Sequence, residues 1–154
     1  MKERELLRDK ASAAVPTPCA LTAVKVTSIK ALLLPVFEKY SDRIVFAYLF
    51  GSAALEEVTP LSDLDFAVFL SHGTRKFYSD SRFSLYADLC RTLKRNDIDL
   101  VVLNTAGNII LLEEIVRKGV VFYDKDVEVR EAFEIKVIHQ AIDFKEQRLA
   151  VMGI

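Results

Sequence analysis

The sequence predicts an α+β fold with α/β character, in which helices flank a small central mixed β-sheet. Apolar segments of strand length alternate along the chain with segments whose apolar residues recur at helical intervals. The chain has 154 residues, of which 51% are hydrophobic and 28% are charged, and this composition is typical of one globular domain. We therefore expect a single compact domain built around one sheet.

The domain is expected to open with a helix that is followed by a strand. Apolar residues between Ile29 and Tyr40 follow the three-and-four spacing of an amphipathic helix. The next segment, RIVFAYLF over residues 43–50, is rich in β-branched and aromatic residues and stops at Gly51. This composition predicts the first strand of the sheet.

A turn and a second strand follow. Residues 53–57 are helix-prone, so Gly51 and Ser52 are predicted to lie on a strand-to-helix turn. The segment LDFAVFL, residues 64–70, is apolar on both faces after Asp65. A strand of this kind is typical of the centre of a sheet that is covered on both sides.

The second half of the chain repeats the alternation of helix and strand. Its segments are predicted to be a polar loop over 71–80, a helix over 83–93, a strand over 97–103, a helix over 108–119 that ends at Gly119, a short strand over 120–124 and a long helix over 128–148. The terminal helix is expected to close the domain through one apolar stripe.

Composition excludes several classes of function. Twenty-one basic and 22 acidic residues leave a net charge of −1, so no overall field attracts the chain to nucleic acid or to an anionic membrane. No run of about 18 apolar residues predicts a membrane span, and the mixed charges near the start do not predict a signal peptide. Cys19 and Cys90 match no zinc or disulfide pattern. We expect a cytoplasmic protein that does not bind nucleic acid directly.

Acidic residues stand where two of the predicted strands begin. Asp63 and Asp65 point to the same face of a strand, with roughly 6 to 7 Å between them along the backbone. Such neighbours repel each other unless a cation lies between them, and Mg²⁺ prefers carboxylate oxygens. Asp99, and by the same pleat argument Asp97, could join them from the neighbouring strand. Either pair alone is equally well explained as turn or cap residues.

The turn after the first strand adds a second part of a possible site. Gly51 lets the backbone approach a ligand closely, and Ser52 offers a hydroxyl and free N–H groups to phosphate oxygens. Together with the carboxylates, this turn predicts metal-assisted phosphoryl or nucleotidyl transfer. The basic group Arg91, Lys94 and Arg95 is interpreted as a solvated helix end rather than a nucleic-acid patch.

These residues carry a resemblance to a known family. Gly51-Ser52, a gap of ten residues and Asp63-x-Asp65 resemble the signature of the DNA polymerase β-like nucleotidyltransferase superfamily. Over roughly residues 26–148 the chain is similar to minimal nucleotidyltransferases of the MntA antitoxin type. The resemblance implies a polymerase β palm-like fold with a long C-terminal helix over residues 26–150, and leaves residues 1–25 as an N-terminal extension.

The resemblance also implies the residue roles. Asp63 and Asp65 would bind Mg²⁺, Asp99 would be a third metal ligand that helps to deprotonate the acceptor, and Gly51 and Ser52 would hold the phosphates of the nucleotide. All three aspartates would be catalytic.

The implied function is that of an antitoxin. It would transfer AMP from ATP to a tyrosine hydroxyl of a partner HEPN ribonuclease toxin and so neutralise the toxin. The chain lacks the Arg-x4-His-x-Tyr element of HEPN toxins, which places it on the antitoxin side. Assembly into a homo- or hetero-oligomer is compatible with this interpretation.

Two alternatives remain open. The family usually follows its Gly-Ser with Arg-Gly, but Leu55 and Glu56 stand at the matching places. An acid in place of a cation beside a triphosphate weakens attraction, which favours a weak or inactive nucleotidyltransferase that blocks its toxin by binding alone. The other alternative is a small-molecule nucleotidyltransferase of the aminoglycoside-resistance kind, which usually needs additional substrate-binding structure.

Overall fold

The computed structural model describes residues 26–51 and 63–152. Within these residues, one sheet of four strands in the order β3-β2-β1-β4 is flanked by four helices. The elements are α1 (Val26–Lys39), β1 (Ile44–Phe50), β2 (Leu64–Leu70), α2 (Arg75–Leu93), β3 (Ile98–Val102), α3 (Ile109–Lys118), β4 (Val120–Asp124) and α4 (Val127–Met152). The predicted α+β fold with a mixed central sheet is confirmed, as is the long C-terminal helix. The predictions for residues 1–25 and 53–57 lie outside the described residues.

The direction of the strands determines which residues meet at one end of the sheet. β1 is antiparallel to both β2 and β4, whereas β2 and β3 are parallel. α2 makes the long connection that two parallel strands require. The end of β1 and the beginnings of β2 and β3 therefore lie at the same end of the sheet.

Helices cover both faces of the sheet. Alternate residues of β2 point to opposite faces, so Phe66 belongs to a core cluster that includes Phe37 of α1 and Leu85 of α2. Ala67 belongs to a second cluster with Leu112 of α3 and with α4. Because both faces of β2 are buried, nearly all residues of this strand are apolar.

α2 differs most from its prediction. The helix begins at Arg75, two turns before the expected start at Phe83, so much of the predicted polar loop is helical. The Thr74 hydroxyl caps the helix by accepting a hydrogen bond from the Phe77 N–H at 3.1 Å. The buried stripe of the helix starts with Ser81, which is 2% exposed, and this polar residue broke the apolar pattern on which the prediction relied.

α4 contacts the sheet through a small part of its length. Only Val137 and Ala141 are buried among its residues, and Phe133 packs its ring 5.5 Å from Phe46 and 5.4 Å from Phe69. Among residues 26–51 and 63–152, no helix combines the length and the apolar character that crossing a membrane requires.

The beginning of α3 gives a test of local stability. The Asn108 side-chain oxygen accepts hydrogen bonds from the N–H groups of Ile110 and Leu111, at 3.1 and 3.3 Å. Asn108→Ala removes this cap and is expected to lower the free energy of unfolding by about 1 kcal/mol. Urea denaturation followed by circular dichroism measures the change. Asn108→Ser retains a capping oxygen, so equal midpoints for the two variants would contradict the assigned role.

Candidate active site

The sheet end formed by β1, β2 and β3 brings two predicted site residues into register. Asp65 on β2 lies opposite Asp99 on the parallel neighbour β3, and on its other side it lies opposite Phe50 on β1. Paired residues on adjacent strands share a face, with the strands about 4.8 Å apart. Asp65 and Asp99 therefore stand side by side, as predicted, although they are separated by more than thirty positions in the sequence.

Asp63 contributes a third negative charge to this end of the sheet. It is exposed and lies just before β2, two residues from the half-buried Asp65. Burial raises the pKa of the Asp65 carboxyl above its ordinary value, and repulsion by Asp99 and then by Asp63 raises this pKa further. The three predicted carboxylates thus form one acidic group, which we call the carboxylate triad.

Gly51, the residue directly after β1, lies next to the Asp65 carboxylate of the triad. Its φ is +74°, a left-handed conformation that side-chain-bearing residues rarely adopt. A Cβ atom at this position would collide with Oδ2 of Asp65. Glycine therefore allows the chain to turn directly against the Asp65 carboxylate. Ser52, Leu55 and Glu56 lie outside the described residues.

Asp97, which could have been a fourth member of the group, has a different partner. Arg95 donates from Nε to Oδ1 at 2.8 Å and from Nη2 to Oδ2 at 2.6 Å, which lowers the pKa of the Asp97 carboxyl. The carbonyl of Asp97 also accepts the N–H of Leu64 at 3.1 Å. Asp97 thus ties the turn before β3 to the start of β2.

The other members of the predicted basic group have structural partners. Arg91 forms an ion pair with Asp88 at 3.2 Å, and Lys94 ends α2 in a left-handed conformation with φ of 54°. Together with the Arg95–Asp97 pair, these contacts agree with the interpretation as a helix end. The sequence alone did not indicate that Arg95 would pair with Asp97.

The donor chemistry of the carboxylate triad fits a hard divalent cation. Its side chains supply only oxygen ligands, and their mutual repulsion would be relieved by a positive ion between them. Within the described part of the chain, no group of three or more His, Cys, Asp or Glu side chains is arranged so that it could hold a metal ion. The triad therefore offers the type of ligand that Mg²⁺ prefers, but its side chains are not arranged as a metal site.

The fold and this acidic end define a class of protein, namely α+β proteins with carboxylates on neighbouring strands beside a glycine turn. Residues 33–128 match the family described as "Polymerase beta, Nucleotidyltransferase". Because this match spans more than half of the chain, the protein belongs to the polymerase β nucleotidyltransferase family. The resemblance seen in the sequence is confirmed at this level. No curated protein matches the chain.

Several solved structures share the fold. A toxin–antitoxin MntA-HpeT mutant has a TM-score of 0.67 and 22% identity, with 80% of this chain and 95% of that chain covered. A toxin–antitoxin structure with AMP-PNP gives 0.66 and 23%, with coverage of 80% and 95%. The structure of a tri-AMPylated Shewanella oneidensis HEPN toxin in complex with MNT antitoxin gives 0.62 and 22%, with coverage of 81% and 93%. These similarities confirm the expected polymerase β palm-like fold.

Proposed function

We propose that this nucleotidyltransferase is a Mg²⁺-dependent antitoxin that transfers AMP from ATP to a tyrosine hydroxyl of a partner HEPN ribonuclease toxin and thereby neutralises it. The observation that carries the proposal is the pairing of Asp65 with Asp99 beside the Gly51 turn. Membership of the nucleotidyltransferase family supports the reaction type. The fold shared with the antitoxin of an AMPylated HEPN toxin supports the partner. The proposed active domain is residues 26–150, acting in the cytoplasm.

The proposal assigns a role to each site residue. Asp63, Asp65 and Asp99 would hold Mg²⁺, and Gly51 and Ser52 would bind the phosphates of ATP through backbone N–H groups and the serine hydroxyl. When bound, Mg²⁺ supplies positive charge that offsets the negative charge of the phosphates and of the carboxylates.

The bond changes of the reaction are those of a single displacement. The acceptor tyrosine oxygen forms a bond to the α-phosphorus of ATP, and the bond from that phosphorus to the bridging oxygen breaks. Pyrophosphate leaves with the electron pair of the broken bond. Asp99, on the outermost of the three strands, would accept the hydroxyl proton of the tyrosine. Asp65, deeper in the sheet, would orient the nucleotide.

The proposal is tested by intact mass spectrometry of the protein encoded next to this one. After incubation with the chain, ATP and Mg²⁺, we expect mass increments of the size of AMP on that protein. The same incubation with Asp63→Asn should produce none. Increments that persist with Asp63→Asn would contradict the assigned site, and absence of increments with the unaltered chain would contradict the transferase function.

The two aspartates at the start of β3 should behave differently. Asp99→Asn is expected to lower the rate of AMP transfer by about 10²-fold or more, because it removes a carboxylate of the triad. Asp97→Asn should change this rate by less than about threefold, since Asp97 pairs with Arg95.

Thermal unfolding separates the two variants further. The pKa of Asp97 is lowered in the folded chain, so the pair stabilises the protein above the ordinary pKa and loses this effect as the pH falls through the folded value. Asp97→Asn should therefore lower the melting temperature at pH 7 and have no effect in strong acid. Equal loss of transfer in both variants would show that Asp97 belongs to the site.

A second candidate function rests on Leu55 and Glu56, which replace the Arg-Gly usual in the family. In that case the chain would neutralise its toxin by binding alone, and Asp63→Asn would still protect cells that express the toxin. Retention of a stable complex without AMP transfer would favour this second function.

A further inference from the structure

The segments that lead into β2 and β3 meet beside the carboxylate triad. The two strands pair in parallel, with Leu64 opposite Ile98, so the residues one position earlier, Asp63 and Asp97, adjoin each other where the strands begin. The N–H of Leu64 donates to the carbonyl of Asp97 at 3.1 Å and holds the two segments together. A side chain that pairs with Asp97 therefore lies close to Asp63, a member of the triad.

Arg95 is the side chain that pairs with Asp97. Its Nε and Nη2 atoms donate to the two carboxylate oxygens of Asp97 at 2.8 and 2.6 Å, and this two-point contact fixes the plane of the guanidinium group. The side chain of Arg95 is 21% exposed. The hydrogen bonds to Asp97 raise the pKa of Arg95 above its ordinary value, burial opposes this shift, and the charges of Asp97 and Asp63 raise the pKa further. Asp63 is thus near enough for its charge to act on Arg95.

The contact with Asp97 uses two of the three nitrogens of the Arg95 guanidinium group. A guanidinium group has five N–H donors in a planar arrangement, and Nη1 is not part of this contact. Arginine binds phosphate oxygens through such donors, and a side chain whose orientation is already fixed loses less conformational freedom when it binds. Arg95 is therefore suited to bind a phosphate group next to the triad.

Arg91 shows what a basic residue with a purely local role looks like in this protein. It lies in the last turn of α2, its side chain is 73% exposed, and it pairs with Asp88 at 3.2 Å. Arg95 differs in its burial, in the two-point geometry of its contact and in its position beside Asp63. The placement of Arg95 is therefore not shared by its basic neighbour at the end of the helix.

We propose that Arg95, held in place by Asp97, binds the phosphate chain of the nucleotide at the carboxylate triad. This inference rests on the proposed function, and adds a cationic residue to the phosphate contacts proposed for Gly51 and Ser52. The positive charge of Arg95 offsets part of the negative charge that the phosphates and the three carboxylates bring together. Loss of this charge therefore weakens the binding of ligands that carry a phosphate chain.

Equilibrium binding of two ligands tests the inference. The full-length chain is titrated, with Mg²⁺ present, with α,β-methylene-ATP, in which carbon replaces the oxygen of the bond that would break, and with inorganic tripolyphosphate. Isothermal titration calorimetry measures both affinities. We expect Arg95→Gln to weaken both by about tenfold, because a charge-assisted hydrogen bond to phosphate is lost. A similar factor for the two ligands assigns the contact to the phosphates rather than to the nucleoside.

Two control variants separate the charge of Arg95 from its ion pair. Asp97→Asn breaks the same ion pair, but it retains the positive charge of Arg95 and an oxygen that accepts one of its N–H groups. Both affinities of Asp97→Asn should therefore stay within about threefold of those of the unaltered chain. Arg91→Gln removes the same charge from the nearby helix end and should leave both affinities within about twofold.

An NMR measurement on the unaltered chain does not depend on the folding of any variant. Arginine Nε–H signals are followed while tripolyphosphate is added in the presence of Mg²⁺. The signal of Arg95 should shift and that of Arg91 should stay in place. An Arg95 signal that does not move while the ligand binds would overturn the inference.

The possible outcomes distinguish the inference from the proposed function. Equal weakening in Arg95→Gln and Asp97→Asn would overturn the inference, because loss of the ion pair would then account for the effect. Unchanged affinity of Arg95→Gln for tripolyphosphate would also overturn it, even if the chain transfers AMP to its partner. Binding that depends on Arg95 without any transfer of AMP would support the inference and contradict the transferase function. An unaltered chain that binds neither ligand would contradict both.

Discussion

Replacement of Asp65 by asparagine is expected to lower the rate of AMP transfer by about 10³-fold while leaving the folded chain intact. Asp65 is the central carboxylate of the triad, next to Asp99 in register and two residues from Asp63. Asparagine has nearly the same shape but no negative charge, so the loss isolates the charge of the carboxylate. Quantitative mass spectrometry of the AMP-modified partner measures the rate.

The same substitution should raise thermal stability in the absence of Mg²⁺. The pKa of Asp65 is raised in the folded chain, so ionisation of this carboxyl destabilises the folded state, and the penalty grows as the pH rises from the ordinary pKa of 3.8 through the folded value. Asparagine avoids this penalty. The melting temperature of Asp65→Asn should exceed that of the unaltered chain at pH 7, and the difference should vanish below about pH 3.8.

Addition of Mg²⁺ should reverse this order. A cation bound by the triad stabilises the unaltered chain by preferential binding to the folded state, and Asp65→Asn should lose most of this increment. Asn104, which binds β2 at the opposite end of the sheet, offers a control in the variant Asn104→Asp, whose response to Mg²⁺ should match that of the unaltered chain. If Mg²⁺ changes the melting temperature of neither the unaltered chain nor any variant, the assignment of the triad as Mg²⁺ ligands would be contradicted.

Gly51→Ala is expected to disrupt both stability and transfer. An alanine at φ of +74° costs about 1 to 2 kcal/mol in backbone strain, and its Cβ would displace Oδ2 of Asp65. We expect the free energy of unfolding to fall by at least this amount. Because the Asp65 carboxylate must move, the rate of AMP transfer should fall by about 10²-fold.

Gly107 provides the matched control for this substitution. A Cβ at Gly107 would meet no atom within 4 Å, and its φ does not fall in the left-handed region. Gly107→Ala should therefore leave transfer unchanged and shift stability by less than about 1 kcal/mol. Urea denaturation and the transfer assay are run on both variants. A Gly51→Ala chain as stable and active as Gly107→Ala would show that the turn tolerates a side chain.

The two tests separate different contributions to the site. Asp65→Asn removes a charge without adding volume, whereas Gly51→Ala adds volume without removing a charge. The first should raise the melting temperature and the second should lower it. If both Asp65→Asn and Gly51→Ala lose AMP transfer, the reaction requires both the charge and the position of the Asp65 carboxylate.

Local patterns in the sequence were sufficient to predict the strands and most of the helices. β2 was identified as a central strand because its apolar residues continue on both faces, and burial on both faces is what the structure contains. The acidic motif at Asp63 and Asp65 and the turn at Gly51 were also recognisable from residue type and spacing. Their roles in catalysis remain a proposal.

Periodicity and residue spacing are properties of neighbouring residues, so they were enough to predict the alternation of elements, the acidic motif and the family. The partners across the sheet are established only when the chain folds. Strand register places Asp99 beside Asp65, whereas Asp97, of the same residue type and two positions away, is held by Arg95. Such pairings depend on packing between distant segments, which no local pattern specifies. The early start of α2, by contrast, has a local signal in the Thr74 cap.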